Sequence, residues 1–152
     1  MESVVESGQP RIGSQDWDLN GGAWMLALRV VVGALGLLAL MLAARIWVDP
    51  AAAAAQFGLL VNGELGQASL RADIAGLFAA TGGLALFAAI TADGRALLGP
   101  VCLLGAALAG RLLNLVLAGF TFDQLTPILV EVLSLAILGA GLRGLRKPDI
   151  AV

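Results

Sequence analysis

Four long apolar runs constrain the fold of this chain more than any other feature. They cover residues 24–48, 69–92, 96–120 and 124–145, and each can cross a hydrocarbon core of about 30 Å, which takes about 20 helical residues. A backbone in lipid must satisfy its own hydrogen bonds, so each run is expected to be a helix. The loops between the last three runs allow only antiparallel hairpins. The sequence therefore predicts an all-α fold, an integral membrane four-helix bundle over residues 23–146.

The overall composition agrees with a lipid environment. Of the 152 residues, 59% are hydrophobic and 13% are charged, whereas soluble domains have about 45–50% and about 25%. A soluble fold of this length has too little interior to bury so much apolar surface, so the lipid bilayer is the expected partner. The net charge of -2 gives no basic surface for nucleic acid.

The residue inventory excludes several kinds of catalysis. The chain has no histidine and one cysteine, Cys102. These numbers rule out a Ser/His or Cys/His nucleophile pair, a CxxC dithiol, a cysteine-ligated iron-sulfur cluster and the common histidine ligation of haem. Cys102 lies in an apolar run and is expected to be a small buried hydrophobe. We therefore expect no catalytic residue, no metal site and no cofactor, and a non-enzymatic role is favoured.

Polar segments flank the predicted bundle at both ends. Residues 1–22 carry four acidic residues against a lone Arg11, without the positive start and short apolar stretch of a secretory signal. They predict a flexible acidic tail, and residues 147–152 predict a short C-terminal tail.

The distribution of basic residues predicts the orientation in the membrane. The side that holds both termini carries Arg11, Arg95, Arg143, Arg146 and Lys147, and the opposite side carries Arg45 and Arg71. Cytoplasmic loops are enriched in Lys and Arg. Both termini are therefore expected to be cytoplasmic.

A short interfacial helix is predicted between the first two spans. Asp49 is suited to an N-cap, Pro50 to the first helical position and Gly58 to the end of the helix. The segment is too short to cross the bilayer. We expect it to lie at the membrane interface.

Local signals also predict where the spans end. Ser69 can cap the start of the second helix, Asp93-Gly94 is a turn dipeptide after it, and Asp123 or Thr126 can cap the fourth helix. These signals agree with the limits of the apolar runs.

Small residues recur in the spans and predict where helices touch. In lipid, contact energy between helices comes from close backbone approach at small side chains rather than from a water-driven effect. The Gly82-Gly83 pair is interpreted as such a packing site, because no phosphate-loop motif accompanies it.

The most informative residues are Arg111 and Glu131, which lie within the third and fourth spans. Even low estimates put a charge at mid-bilayer at about 2.5–3.5 kcal/mol, so such charges need compensation. Arg111 lies eleven positions before Phe122, near the centre of the connecting turn, and Glu131 lies nine positions after it. The two residues are therefore expected at nearly the same depth and able to pair. Asn114 falls on the same helix face as Arg111 and can join them.

The first hairpin carries a fainter copy of this pattern, in Arg45, Arg71 and Asp73. If the bundle is compact, six residues converge on one polar site in its outer half: Arg45, Arg71, Asp73, Arg111, Asn114 and Glu131. One interpretation is a site for an anion, a headgroup or a quinone ring, or a proton-carrying pair, since buried ionisable groups in membranes are often functional. The other is a clamp between helices that fixes register.

Arg29 lies at shallow depth on the side of the termini, five residues inside Trp24. It is expected either to extend its charge to the interface or to pair with an acid such as Asp93. Trp24 and Trp47, at opposite ends of the first span, are interpreted as interface anchors.

Several short motifs carry a resemblance to a known family. They are Leu28-Arg29-Val30-Val31-Val32-Gly33, Asp49-Pro50, the stretch from Leu70 to Leu77, Gly94-Arg95, and Gly110-Arg111-Leu112 with Glu131. Over residues 24–145 the chain resembles small four-helix proteins of the DoxX-like superfamily, most of all a bacterial branch without a settled activity. The resemblance implies an inner-membrane protein. Some members of the superfamily are subunits of quinone-linked oxidoreductases, and others are accessory proteins.

Three functions stay open at this point. The first is a non-enzymatic accessory or scaffold component of a membrane assembly, with another membrane protein or further copies of the chain as partner. The second is a binder or carrier of a small amphiphile or anion at the Arg111/Glu131 site. The third, an accessory subunit of a quinone-linked oxidoreductase, rests on the resemblance alone, and its electron carrier would come from a partner.

Overall fold

The computed structural model describes residues 15–145, and their side chains from residue 21 onward. All regular structure in this range is helical, which confirms the predicted all-α fold. The helices are α1 (Gln15–Val48), α2 (Pro50–Gln56), α3 (Gly63–Ser69), α4 (Ala75–Thr91), α5 (Leu98–Ala118) and α6 (Leu125–Gly144). A π-helical turn, Leu70–Ile74, joins α3 to α4, and 3-10 turns at Gly94–Leu97 and Phe122–Gln124 lead into α5 and α6.

Four helical stretches are long and apolar enough to cross a membrane. They are Gly21–Val48, Gly63–Thr91, Gly94–Ala118 and Phe122–Gly144, with 28, 29, 25 and 23 residues. Each exceeds the about 20 residues that a bilayer core requires. The protein is therefore a multi-pass membrane protein that contacts the lipid bilayer through these helices.

The short helix between the first two spans is also present. Asp49 caps α2, because its Oδ1 accepts a hydrogen bond from the Ala52 backbone N–H at 3.0 Å, and Pro50 is the first residue of the helix. The chain leaves α2 through Gly58, whose φ of +69° suits glycine. Capping and turn chemistry thus fix both ends of α2 locally.

One predicted helix start and the predicted caps of two spans are wrong. The second span begins at Gly63 rather than at Ser69, whose side chain makes no capping hydrogen bond. The fourth span begins with the 3-10 turn at Phe122, and neither Asp123 nor Thr126 is its cap. The physical reason is that a helix can continue past the hydrocarbon core into the headgroup region, where polar residues are tolerated.

The predicted N-terminal tail is likewise shorter than expected. Residues 15–22 belong to α1, so the first helix continues beyond the apolar run in the same way. Residues 1–14 and the predicted C-terminal tail, 147–152, lie outside the described residues, as do Arg11, Arg146 and Lys147 of the orientation argument.

The four spans share one core at the end of the bundle that carries the chain ends of the described range, here called the terminal end. Leu28 and Val32 of α1, Ala88 of α4, Leu97 before α5 and Leu138 of α6 are all buried there. Each span contributes at least one side chain. The bundle is therefore closed at the terminal end.

The core at the opposite end, here called the loop end, has a different composition. It consists of Ala43 and Ile46 of α1, Ala53 of α2, Leu70 of the π turn and Ala75 of α4. No described residue of α5 or α6 belongs to it. At the loop end, α2 thus covers the first hairpin, and the second hairpin shares no core with it.

Helices α1 and α4 approach each other closely at two glycines, Gly36 and Gly82. A Cβ on Gly36 would lie 2.9 Å from the Gly82 carbonyl oxygen, and a Cβ on Gly82 would lie 2.6 Å from the Gly36 carbonyl oxygen. Only glycine fits both positions. Gly82 is therefore a packing residue, as predicted, whereas a Cβ on Gly83 would meet nothing within 4 Å.

The adjacent glycines allow a matched test of this contact. Gly82→Ala is expected to lower the free energy of unfolding by about 1–3 kcal/mol, since the methyl group would push two helix backbones apart. Gly83→Ala is expected to be neutral or stabilising by up to about 1 kcal/mol through helix propensity. Unfolding by SDS in mixed micelles measures both. Equal effects of the two substitutions would contradict the assigned contact.

Candidate functional site

Arg111 of α5 and Glu131 of α6 form an ion pair across the second hairpin. The Arg111 Nε donates a hydrogen bond to the Glu131 Oε1 at 2.6 Å. The pairing predicted from their distances to the connecting turn is therefore present. The Arg111 side chain is 41% exposed and the Glu131 side chain is 15% exposed, so the carboxylate lies deeper between the helices than the guanidinium.

Each partner keeps polar atoms without a hydrogen bond. The Glu131 Oε2 is buried and has no partner. Among the described residues, the Arg111 side chain donates only through Nε, which leaves its terminal nitrogens Nη1 and Nη2 free. A guanidinium has five N–H donors. The pair is therefore neutral in total charge and unsatisfied in hydrogen bonds.

A cavity of about 280 Å³ lies beside the ion pair. Its lining consists of Ala107, Gly110, Arg111, Asn114, Gln124 and Glu131. Asn114 lies beside the pair in this lining, but among the described residues it makes no hydrogen bond to Arg111 or Glu131, so the predicted amide contact is not formed. Every lining residue comes from the second hairpin, so the cavity is a feature of α5 and α6 rather than of the bundle centre.

Gln124 is a lining residue that the sequence reasoning missed. It lies seven residues before Glu131, a spacing of two helical turns that places both side chains on one face. That spacing was a usable signal. With Asn114, Gln124 adds a second amide, and the cavity offers both hydrogen-bond donors and acceptors.

The other three predicted residues lie elsewhere. The Arg71 Nε donates to the Trp47 carbonyl oxygen at 3.1 Å, and the Trp47 Nε1 donates to the Arg71 carbonyl oxygen at 3.0 Å. Asp73 lines a second cavity, next to the segment between α2 and α3. Arg45 is exposed. The structure thus divides the six predicted residues, with Arg111, Asn114 and Glu131 in one place and the first-hairpin residues in others.

Arg29 has partners that neither prediction anticipated. Its Nε donates to the Ala89 carbonyl oxygen at 2.7 Å, and its Nη2 donates to the Ile90 carbonyl oxygen at 2.9 Å. The last carbonyls of a helix lack partners within that helix, and a cation is favourable there. Asp93 instead accepts a hydrogen bond from the Arg95 backbone N–H. Arg29 therefore satisfies the C-terminus of α4.

The third span is the least covered of the four. None of its most apolar 18-residue stretch is buried, and Val116 is 82% exposed. Cys102 is exposed on the same helix, so the expectation of a buried cysteine is wrong. The reason is that α5 packs against α6 and against part of α4 and leaves most of its surface open.

The described residues contain no group of three or more His, Cys, Asp or Glu side chains that could hold a metal ion. Comparisons of the chain with protein-family models, curated proteins and solved structures give no match. The resemblance to the DoxX-like superfamily therefore stays a prediction from the sequence motifs.

The energetics of the ion pair can be tested by a double-mutant cycle. Arg111→Leu leaves the Glu131 carboxylate without a counter-charge, and a charge within the bilayer costs about 2.5–3.5 kcal/mol. Glu131→Leu likewise leaves the Arg111 guanidinium without a counter-charge, and a similar loss of stability is expected. The double variant is expected to be at least as stable as wild type, because replacing a buried pair by apolar residues is neutral or stabilising by about 1–4 kcal/mol. Unfolding in mixed micelles measures the free energy of unfolding of wild type, the two single variants and the double variant. Additive losses in the double variant would contradict a compensating pair.

Proposed function

We propose that the protein is a non-enzymatic accessory or scaffold component of a membrane assembly, and that the exposed face of α5 is its contact surface. The single observation behind this proposal is the third span, which has an exposed apolar face and carries a half-exposed Arg111. Its partner is either another membrane protein or a further copy of this chain.

Apolar exposure alone does not support a protein contact, because acyl chains cover such a surface equally well. The Arg111 guanidinium, in contrast to the apolar side chains, is not satisfied by acyl chains. Its free terminal nitrogens cannot find hydrogen-bond acceptors in hydrocarbon, and an exposed charge at this depth is unfavourable. A neighbouring helix with a polar side chain or a free carbonyl would satisfy them.

Small residues on α5 support the same proposal. A Cβ on Gly105 or on Gly110 would meet nothing within 4 Å, so neither glycine is required by contacts within the chain. Helix pairs in membranes use such positions for close backbone approach. Gly105 is thus consistent with a partner that the chain itself does not supply, whereas Gly110 lines the cavity beside Arg111.

The proposed location is the bacterial inner membrane, with both termini in the cytoplasm. The resemblance to the DoxX-like superfamily supports the bacterial inner membrane as the location. The excess of Lys and Arg on the side of the termini supports the orientation.

The cavity beside Arg111 favours a second candidate, a binder or carrier of a small amphiphile or anion. Two amides, Asn114 and Gln124, line it together with the ion pair. Because Glu131 balances the charge of Arg111, the site suits a ligand with hydrogen-bonding oxygens more than a strongly charged anion. An accessory role beside a quinone-linked oxidoreductase stays a prediction from the resemblance alone.

Bulky substitutions on two open glycines test the assembly. Gly105→Leu places a large side chain on α5 at a half-buried glycine, and Gly83→Leu places the same side chain on α4 at an exposed glycine; a Cβ meets nothing within 4 Å at either position. Native mass spectrometry of protein released from membranes is expected to show wild type and Gly83→Leu in a complex and Gly105→Leu as a lone protomer. A lone wild-type protomer would count against the proposal.

A pair of neighbouring alanines tests the second candidate. Ala107→Leu fills the cavity without changing its charge, and Ala106→Leu adds the same side chain outside the lining. If the cavity holds a ligand, a small molecule retained by wild type and Ala106→Leu in native mass spectra is lost from Ala107→Leu. Its retention by all three proteins would exclude this cavity as the site.

A further inference from the structure

A second cavity, of about 210 Å³, lies at the loop end of the first hairpin. One wall is a single helical face that carries Gly66, Ser69, Leu70, Asp73 and Ile74, and the other wall is the extended segment Leu59, Leu60 and Val61. The segment follows α2, and the helical face continues into the second span. This cavity shares no residue with the one beside Arg111.

Asp73 gives the cavity its charge. Among the described residues no cation lies within ion-pair distance of its carboxylate, since the one ion pair there joins Arg111 to Glu131. Arg71 is two positions away and therefore points to another side of the helix, where it donates to the Trp47 carbonyl oxygen. The carboxylate is thus free to accept hydrogen bonds from a ligand.

The π-helical turn places Asp73 in this wall. Leu70–Ile74 is wound more widely than its neighbours, and the Ala75 N–H donates to the Leu70 carbonyl oxygen. Such turns occur frequently at functional sites. Ser69, four residues before Asp73, lines the same cavity, so a hydroxyl and a carboxylate share one face.

The cavity lies where headgroups meet acyl chains. The helix from Gly63 to Thr91 has 29 residues, which is about 43 Å at about 1.5 Å per residue and exceeds a core of about 30 Å. Its first turns therefore extend beyond the hydrocarbon. Nearby apolar residues are nonetheless open, with Leu60 99% exposed and Leu65 82% exposed. Contact with lipid explains that exposure.

We propose that this cavity binds the ammonium headgroup of a phospholipid. The Asp73 carboxylate accepts hydrogen bonds from the ammonium group, the Ser69 hydroxyl lies one turn nearer the loop end on the same face, and the acyl chains run from the cavity along the second span toward the terminal end. A free carboxylate selects a cation, and the apolar wall selects a cation that is attached to hydrocarbon. The site is independent of the proposed assembly through α5.

Native mass spectrometry of the full chain in detergent tests the site directly. The protein is titrated with phosphatidylethanolamine, with phosphatidylglycerol of the same acyl chains, and with ethanolamine alone. Wild type is expected to bind phosphatidylethanolamine more tightly than phosphatidylglycerol, and free ethanolamine is not expected to bind. Equal binding of the two lipids would overturn the proposal. Saturable binding of ethanolamine alone would show that the cavity binds a free ammonium compound rather than a lipid headgroup.

Substitutions assign the preference to the cavity. Asp73→Asn is expected to weaken phosphatidylethanolamine binding about tenfold, the loss of one charge-assisted hydrogen bond. Glu64→Gln removes an acid from α3, outside the lining, and is expected to change nothing. Ser69→Leu fills the cavity without changing its charge and should weaken phosphatidylethanolamine binding by a similar factor. This variant tests the cavity if Asp73→Asn fails to fold. An unchanged preference in folded Asp73→Asn or Ser69→Leu would overturn the site.

Discussion

The ion pair between Arg111 and Glu131 is the interaction that most constrains how the second hairpin can pack. Two charges within a bilayer are tolerable only if they meet, and the 2.6 Å hydrogen bond between them sets the height of α5 against α6 and the rotation of both. The adjoining cavity lies beside this contact and is lined by small residues, Ala107 and Gly110, as well as by the charged and amide side chains. The geometry of the pair is consistent with the clamp interpretation, and its unsatisfied atoms are consistent with the binding interpretation, so both stay predictions.

The two ends of the bundle are held by different means. At the terminal end all four spans share a core, and the C-terminus of α4 is satisfied by Arg29. At the loop end the first hairpin is covered by α2 and fastened by the reciprocal hydrogen bonds between Trp47 and Arg71. The second hairpin receives neither. This asymmetry is the basis for placing the contact with a partner on α5, since that part of the protein combines a polar group with an open surface.

The sequence predicts the spans and the Arg111–Glu131 pair because both follow from one coordinate, the depth along a helix. Helix ends are predicted less well, because hydropathy marks the edge of the hydrocarbon core rather than the end of the helix. The helix that contains Ser69, for example, continues beyond the apolar run. The hydrogen-bond partner of the Arg71 side chain and the exposure of Cys102 depend on how each helix is rotated and on which neighbours cover it. Small, evenly distributed apolar residues leave that rotation undetermined. A polar site that needs side chains from both hairpins is therefore beyond what spacing alone can establish.

Photo-crosslinking in intact membranes determines whether a protein covers the exposed face of α5. A photoreactive residue replaces Val116 on α5 or, as the control, Leu38, an exposed residue of α1. If α5 contacts a partner, position 116 gives a discrete protein adduct, of a mass that identifies a second copy or another protein, and position 38 gives only lipid adducts. Lipid adducts alone from both positions would contradict such a contact, because α5 would then face the bilayer as any other span does.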